Sequence, residues 1–267
     1  MRLEPGAVAI VTGASEGIGR ALCLALAPRR LRLVLAARNE ARLRELAAEC
    51  ESLGATCLVV AGDLAAEASC RRLVERTVAT FGAVDVVVNN AGRTVWTRLD
   101  QLTDVAVIED VMRINYLGTA WLTYYALPHL VERRGRLVAI ASVAGLNGVP
   151  ERAPYAASKH AVVGFCDSLR IELAPLGVSV TVIAPDFVLT EAHRRAVGPD
   201  GEPLGASPLE EGRIMTAAEC AHRIVRAIDR RERLVITSLR GRVGRWFKLL
   251  SPGLVDRIAA RAIRRRD

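Results

Sequence analysis

Short unbroken apolar runs recur along the chain, each followed by a longer stretch of helical periodicity. Runs at 7–12, 31–37, 56–61, 84–89, 136–141, 178–184 and 233–237 read as strands. Stretches at 17–27, 40–53, 65–81, 104–134, 153–174 and 216–230 read as helices, with Asn39 placed to cap the second. Several of the strands do not alternate polar with apolar residues, which marks a parallel sheet buried on both faces. Strand–helix alternation adds right-handed crossovers and a doubly wound α/β sheet. A chain of 267 residues suits one such domain, placed at 1–239 and followed by a helical tail at 240–267. Aromatic residues are only 4%, so the core is predicted to be Ala, Val, Leu and Ile.

Composition excludes several classes. The cysteines Cys23, Cys50, Cys57, Cys70, Cys166 and Cys220 form no C-x-x-C pair and no zinc-finger spacing, so no metal is expected and the thiols read as core residues in a reducing compartment. The formal charge is +8, but residues 240–267 hold nine Arg or Lys against two Asp. That leaves +1 for the rest, and the basicity of one tail does not make the whole domain a nucleic-acid binder. No signal peptide and no apolar run long enough to span a bilayer is visible, so a cytoplasmic location is expected. The long irregular stretch at 186–214, just past a strand end, reads as a substrate lid.

The first strand runs into a glycine turn. Gly13, Gly17 and Gly19, with Ser15, Glu16 and Ile18 among them, have G-x-x-x-G-x-G spacing. Such a turn lets backbone approach a pyrophosphate, and the next helix aims its N–H groups and positive dipole end at it. A carboxylate usually follows the second strand of NAD-binding proteins; here Arg38 stands there and can grip a 2′-phosphate, so NADP(H) is expected over NAD(H). Glu16 argues the other way, with a carboxylate near that phosphate. Asp63, followed by Leu64, reads either as an adenine contact or as a helix cap. Asn90, Ala91 and Gly92 end the fourth strand, where small residues and amides line a cofactor.

Residues 12–19, 89–92, Asn115, Ser142 and Tyr155-Ala156-Ala157-Ser158-Lys159, in that order, resemble the short-chain dehydrogenase/reductase family over about residues 5–240. Segments 112–130, 155–173 and 246–266 further resemble the membrane-associated 11β-hydroxysteroid dehydrogenase-like reductases and their bacterial relatives. The resemblance implies a Rossmann-type fold and hydride exchange between nicotinamide and a ketone, aldehyde or secondary alcohol. The chemistry stands on its own as well. A phenol titrates near pH 10, and an ammonium one helical turn away lowers that value. Tyr155 is therefore assigned as general acid/base and Lys159 as its cation, with Lys159 also binding the nicotinamide ribose by resemblance. Ser142 is assigned to hold the substrate oxygen. By resemblance Asn115 holds a water that resupplies protons, Thr190 contacts the cofactor, and Pro185 and Val188 line it. The family usually continues strand six into Pro-Gly; here Asp186 follows Pro185, adding negative charge beside the cofactor.

Thr94, Trp96, Leu146, Asn147, Pro150 and Phe187 are candidate pocket residues by position. In the tail, Trp246, Phe247, Leu249, Leu250, Leu254 and Ile258 are interleaved with arginines, which suits either an anionic membrane surface or closure of the cleft or a partner subunit. An apolar or steroid-like substrate and a homodimer or homotetramer built on the two long helices are implied by the resemblance. A nucleotide-binding sensor with weak turnover, opposed by the complete catalytic set, and a sugar-nucleotide epimerase, opposed by the short C-terminal region, are the competing readings.

Overall fold

A computed structural model of the protein describes residues 2–192, 194–206 and 214–263, with side chains described through residue 260. Seven parallel strands form one sheet in the order β3-β2-β1-β4-β5-β6-β9. They are β1 (Val8–Thr12), β2 (Arg32–Ala37), β3 (Thr56–Ala61), β4 (Val86–Asn89), β5 (Arg136–Ile140), β6 (Ser179–Ala184) and β9 (Leu234–Ile236). A separate two-residue parallel pair, β7 (Val188–Leu189) with β8 (Met215–Thr216), was not anticipated. The helices are α1 (Gly17–Leu26), α2 (Glu40–Ser52), α3 (Glu67–Phe81), α4 (Ala106–Met112), α5 (Gly118–Glu132), α6 (Ala153–Leu173), α7 (Ala217–Arg230), α8 (Leu239–Leu250) and α9 (Pro252–Ile263). The fold is the single-domain, Rossmann-like α/β sheet that the apolar runs predict.

The strands are apolar throughout because each face is covered. Ala9, Val11, Leu33 and Leu35 pack with Leu22 and Leu26 of α1, Leu43 of α2 and Ile224 of α7. Their neighbours Val8, Ile10 and Val34 point the other way, to Leu73 of α3, Leu122 of α5 and Val162 of α6. Asn39 caps α2 as predicted, accepting a hydrogen bond from Arg42 N at 3.1 Å. Strand order reverses between β1 and β4, and the crevice beyond their carboxyl ends is where an open α/β sheet takes its ligand.

One feature interrupts the helix predicted at 104–134, and another bears on the predicted lid. A π-turn at Arg113–Leu117 separates α4 from α5 and carries Asn115. It precedes Gly118, where a Cβ would lie 2.4 Å from Leu64 O, so α5 presses backbone to backbone against the turn between β3 and α3. The region predicted as a lid is partly sewn down. Val197 N donates to Thr94 O and Trp96 N to Val197 O, both at 2.9 Å, and Thr103 N donates to Pro199 O at 2.9 Å. Residues 193 and 207–213 of that region, and 264–267 of the basic tail, lie outside the described residues.

Candidate active site

Thr12, the last residue of β1, ties the glycine turn to β4. Its hydroxyl donates to Val88 O at 3.2 Å and accepts from Asn90 N at 2.8 Å and Ala91 N at 2.9 Å. Asn90 returns the contact through Nδ2, which donates to Thr12 O at 2.8 Å and Gly13 O at 3.3 Å. Gly13 and Gly17 have φ of +63° and +54°, which side-chain-bearing residues rarely adopt. At Gly19 a Cβ would lie 2.3 Å from Gly13 O, so only glycine lets α1 start there. Glu16 precedes α1 without capping it by side chain, leaving the first N–H groups of the helix to a ligand. This cradle fits the pyrophosphate of a dinucleotide. Thr190 packs on Gly17, its Cγ2 standing 3.2 Å from where a Cβ would be. Ser15 and Ile18 are half-buried in the same turn.

The adenosine side holds one surprise. Glu16, expected to bring its carboxylate near a 2′-phosphate, pairs with Arg42 at 2.9 Å and with Arg195 at 2.6 Å. Arg38 is exposed at the end of β2, with no hydrogen bond or ion pair among the described residues. Asp63 spends Oδ1 on Ala65 N at 3.0 Å, closing the turn before α3, while the neighbouring Leu64 is buried. The N-cap of α3 is Ala66, so Asp63 closes the preceding turn and does not cap the helix.

Tyr155 and Lys159 lie one turn apart near the start of α6, with Lys159 Nζ 5.9 Å from the Tyr155 ring centroid. Lys159 is 5% exposed and donates to Ile140 O at 2.8 Å. Burial pushes its ammonium below the usual lysine range, and the adjoining Tyr155 opposes that shift. Bare backbone again allows the approach. A Cβ on Gly92 would meet Asn115 Oδ1 at 2.8 Å and Lys159 Nζ at 3.5 Å, and one on Gly145 would meet Lys159 O at 2.7 Å.

Asn115 is buried and braced. Its Oδ1 accepts from Arg93 N at 2.8 Å, and Nδ2 donates to Arg93 O at 3.0 Å and to Ser158 Oγ at 2.8 Å. Ser158 Oγ in turn donates to Tyr155 O at 2.7 Å. Both N–H groups of the Asn115 amide are therefore spent on the chain, which makes its side chain a brace for α6. Ser142 follows β5 and caps the short turn Val143–Gly145, accepting from Ala144 N at 3.1 Å and donating to Pro185 O at 3.4 Å. Val188 is buried in β7.

The opposite wall is a ladder of rings and cations. The Arg152 guanidinium lies 4.5 Å from the Tyr155 ring centroid and 4.9 Å from that of Trp96. Trp96 stacks on Phe187 at 6.2 Å, and Arg240 stands 5.5 Å over Phe187. Trp96 is fixed by its Nε1 donating to Glu151 Oε2 at 3.2 Å. Asp186 is engaged by neighbours within the chain. Its carboxylate takes Ser238 Oγ at 2.7 Å and Arg240 Nη2 at 2.8 Å, latching the start of α8 to the end of β6. Lys248 of α8 donates to Leu146 O at 3.0 Å, and Gly244 lies beside Asn147. Of the candidate pocket residues, Thr94, Trp96 and Phe187 thus meet around Arg152, Leu146 and Asn147 lie under α8, and Pro150 is half-buried in the turn before Glu151.

Arg152, Glu151 and Ser158 were not anticipated as part of the site. Ser158 lies inside the Tyr-x-x-x-Lys motif and was open to notice. Arg152 reads in sequence as one more surface arginine.

Residues 7–198 match the short chain dehydrogenase family. The chain is 36% identical to an 11-beta-hydroxysteroid dehydrogenase-like protein 4A of Arabidopsis thaliana, covering 94% of this chain and 82% of that protein. It is 35% identical to an 11-beta-hydroxysteroid dehydrogenase of Pinus massoniana, over 94% of this chain and 72% of the other. It is 36% identical to dehydrogenase/reductase SDR family member 7B of Mus musculus, over 97% and 82%.

Proposed function

The chain belongs to the short chain dehydrogenase family and is an oxidoreductase, and from that premise we propose that it exchanges a hydride between NADP(H) and the carbon of a ketone, aldehyde or secondary alcohol. The observation that carries this reading is the buried Lys159 one turn from Tyr155, at the carboxyl edge of the sheet beside the glycine turn. When bound, the nicotinamide supplies or accepts the hydride. The chain manages the oxygen. Tyr155 passes the proton, Lys159 favours negative charge on the phenol oxygen, and the Ser142 hydroxyl steadies the substrate oxygen. Asn115 holds the π-turn, Gly92 and α6 in register for them. The cofactor set comprises Gly13, Ser15, Glu16, Gly17, Ile18, Gly19, Asn90, Ala91, Gly92, Pro185, Val188 and Thr190, with Asp63 and Leu64 at the adenine end.

Arg38 supports the choice of NADP(H), because an exposed guanidinium without a partner among the described residues follows the second strand, where a Rossmann-type sheet takes the adenosine ribose. An apolar substrate body is supported by Trp96, Phe187 and the valines Val95, Val107, Val111 and Val197 packed around Tyr155. The tail supports peripheral membrane contact within the cytoplasm. Trp246, Leu249 and Leu250 are 67%, 69% and 83% exposed beside Arg242 and Arg245, and no helix among the described residues is long and apolar enough to cross a membrane. A homodimer or homotetramer is supported by apolar Tyr124 and Ile171, both exposed on α5 and α6.

The test is a panel of carbonyls and alcohols assayed with each cofactor. Turnover with NADPH above NADH is expected, and Arg38→Asp is expected to lower NADPH preference by roughly 10- to 100-fold. No turnover on any substrate despite tight NADPH binding, or an unchanged preference in the variant, would overturn the corresponding part.

A further inference from the structure

Arg152 is 6% exposed, yet among the described residues it makes one hydrogen bond, from Nη2 to Thr94 Oγ1. Its Nε is buried without a partner among the described residues. Among the described residues no carboxylate lies within ion-pairing distance of it. The nearby acids are committed elsewhere, Asp186 to Arg240 and Ser238, and Glu151 to Trp96. The faces of Tyr155 and Trp96 favour a cation but accept no in-plane hydrogen bond from Nε. A buried guanidinium in this condition is costly and its own pKa is lowered by burial.

The backbone adds to that cost. Glu151, immediately before Arg152, has φ +61°. The other side-chain-bearing residues with positive φ, Arg30, Arg134 and Arg231, each follow the end of a helix, where this conformation is ordinary. Glu151 instead precedes a helix, and its strained turn delivers Arg152 onto the face of Tyr155.

We propose that Arg152 anchors a carboxylate of the substrate. A planar monoanion matches a guanidinium whose buried Nε has no partner among the described residues, and this one guanidinium supplies one charge to balance it. Because the guanidinium lies against the ring whose hydroxyl reacts, the carboxylate must be only a few bonds from the reacting carbon. The substrate is therefore a 2- or 3-oxo acid, or the matching hydroxy acid, with an apolar chain. This rests on the oxidoreductase reading of Tyr155 and narrows its substrate class. In the oxidative direction the carbinol carbon gives its hydrogen with two electrons to NADP⁺. The hydroxyl proton goes to Tyr155, the carbon–oxygen bond becomes double, and the carboxylate is unchanged.

The experiment has a binding arm and a turnover arm. With the NADPH complex, calorimetric titration compares dodecanoate with dodecan-1-ol, and turnover with NADP⁺ compares 3-hydroxydodecanoate with its methyl ester. Wild type is expected to favour the acid by about tenfold or more in both arms. Arg152→Gln is expected to erase the preference, Arg152→Lys to keep part of it, and NADPH affinity to stay unchanged in both as the check on folding. Equal binding of acid and alcohol by wild type, or an equal loss on acid and ester in Arg152→Gln, overturns the anchor. Acid binding that depends on Arg152 without turnover of either compound upholds the anchor and contradicts the Tyr155 chemistry instead.

Discussion

The turn after β1 and the wall facing Tyr155 both stand at the carboxyl edge of the sheet, but they hold their shape by different means. In the turn, backbone touches backbone. A Cβ on Gly19 would lie 2.3 Å from Gly13 O, and the polar groups are bridged by Thr12 and Asn90 over a few ångströms. In the wall, long side chains from distant segments meet. Arg152, Trp96, Phe187 and Arg240 come from four separate stretches and touch through rings and charges. The first construction tolerates almost no substitution and suits a ligand part that never varies. The second can be altered residue by residue without moving a strand, which suits a part that sets specificity.

If that contrast is right, the largest effect belongs to the turn. Gly19→Ala is expected to weaken NADPH binding by roughly 100-fold or more, read by fluorescence titration, because the new methyl group overlaps fixed backbone. Near-normal affinity would break the comparison. In the wall, Arg240→Ala removes a largely exposed partner of Asp186 and Phe187. With Arg240 itself largely in water, the pair contributes about 1 kcal/mol. The expected outcome is a KM for the carbonyl raised roughly threefold, with NADPH affinity unchanged. A change in cofactor affinity instead would mean that the two regions are not separable.

The smallest expected effect concerns stability. Burial lowers the Lys159 pKa below its value in the unfolded chain, about 10.4. Over the interval between the two values the unfolded chain binds more protons, so wild-type stability rises with pH across it. Lys159→Met never carries that proton. Its melting midpoint is expected to exceed wild type by roughly 2–4 °C at neutral pH, and the margin to shrink as pH climbs towards about 10, while turnover is lost. A margin independent of pH would separate Lys159 from any burial cost.

The same contrast explains what the sequence discloses. Glycines at fixed spacing, apolar runs without alternation, and Tyr155 four residues before Lys159 are local patterns, and local patterns give the sheet, the turn and the reacting pair. The ladder depends on contacts such as Asp186 to Arg240, 54 positions apart, which no periodicity encodes. Arg152 is one cation in a chain with 37 Lys and Arg, so nothing in its composition marks it as buried. The π-turn at Asn115 had only Gly118 as a clue, and the close approach of Leu64 O to Gly118 exists only in three dimensions.

The account stands on the Tyr155 hydroxyl as the group that gives and takes the substrate's proton. Tyr155→Phe, which keeps the ring under Arg152 and removes only the oxygen, tests it most directly through kcat/KM and NADPH affinity measured on the same preparation. The prediction is a loss of kcat/KM of roughly 1,000-fold with NADPH affinity within about twofold of wild type. Turnover near the wild-type rate in a variant that binds NADPH normally would contradict it.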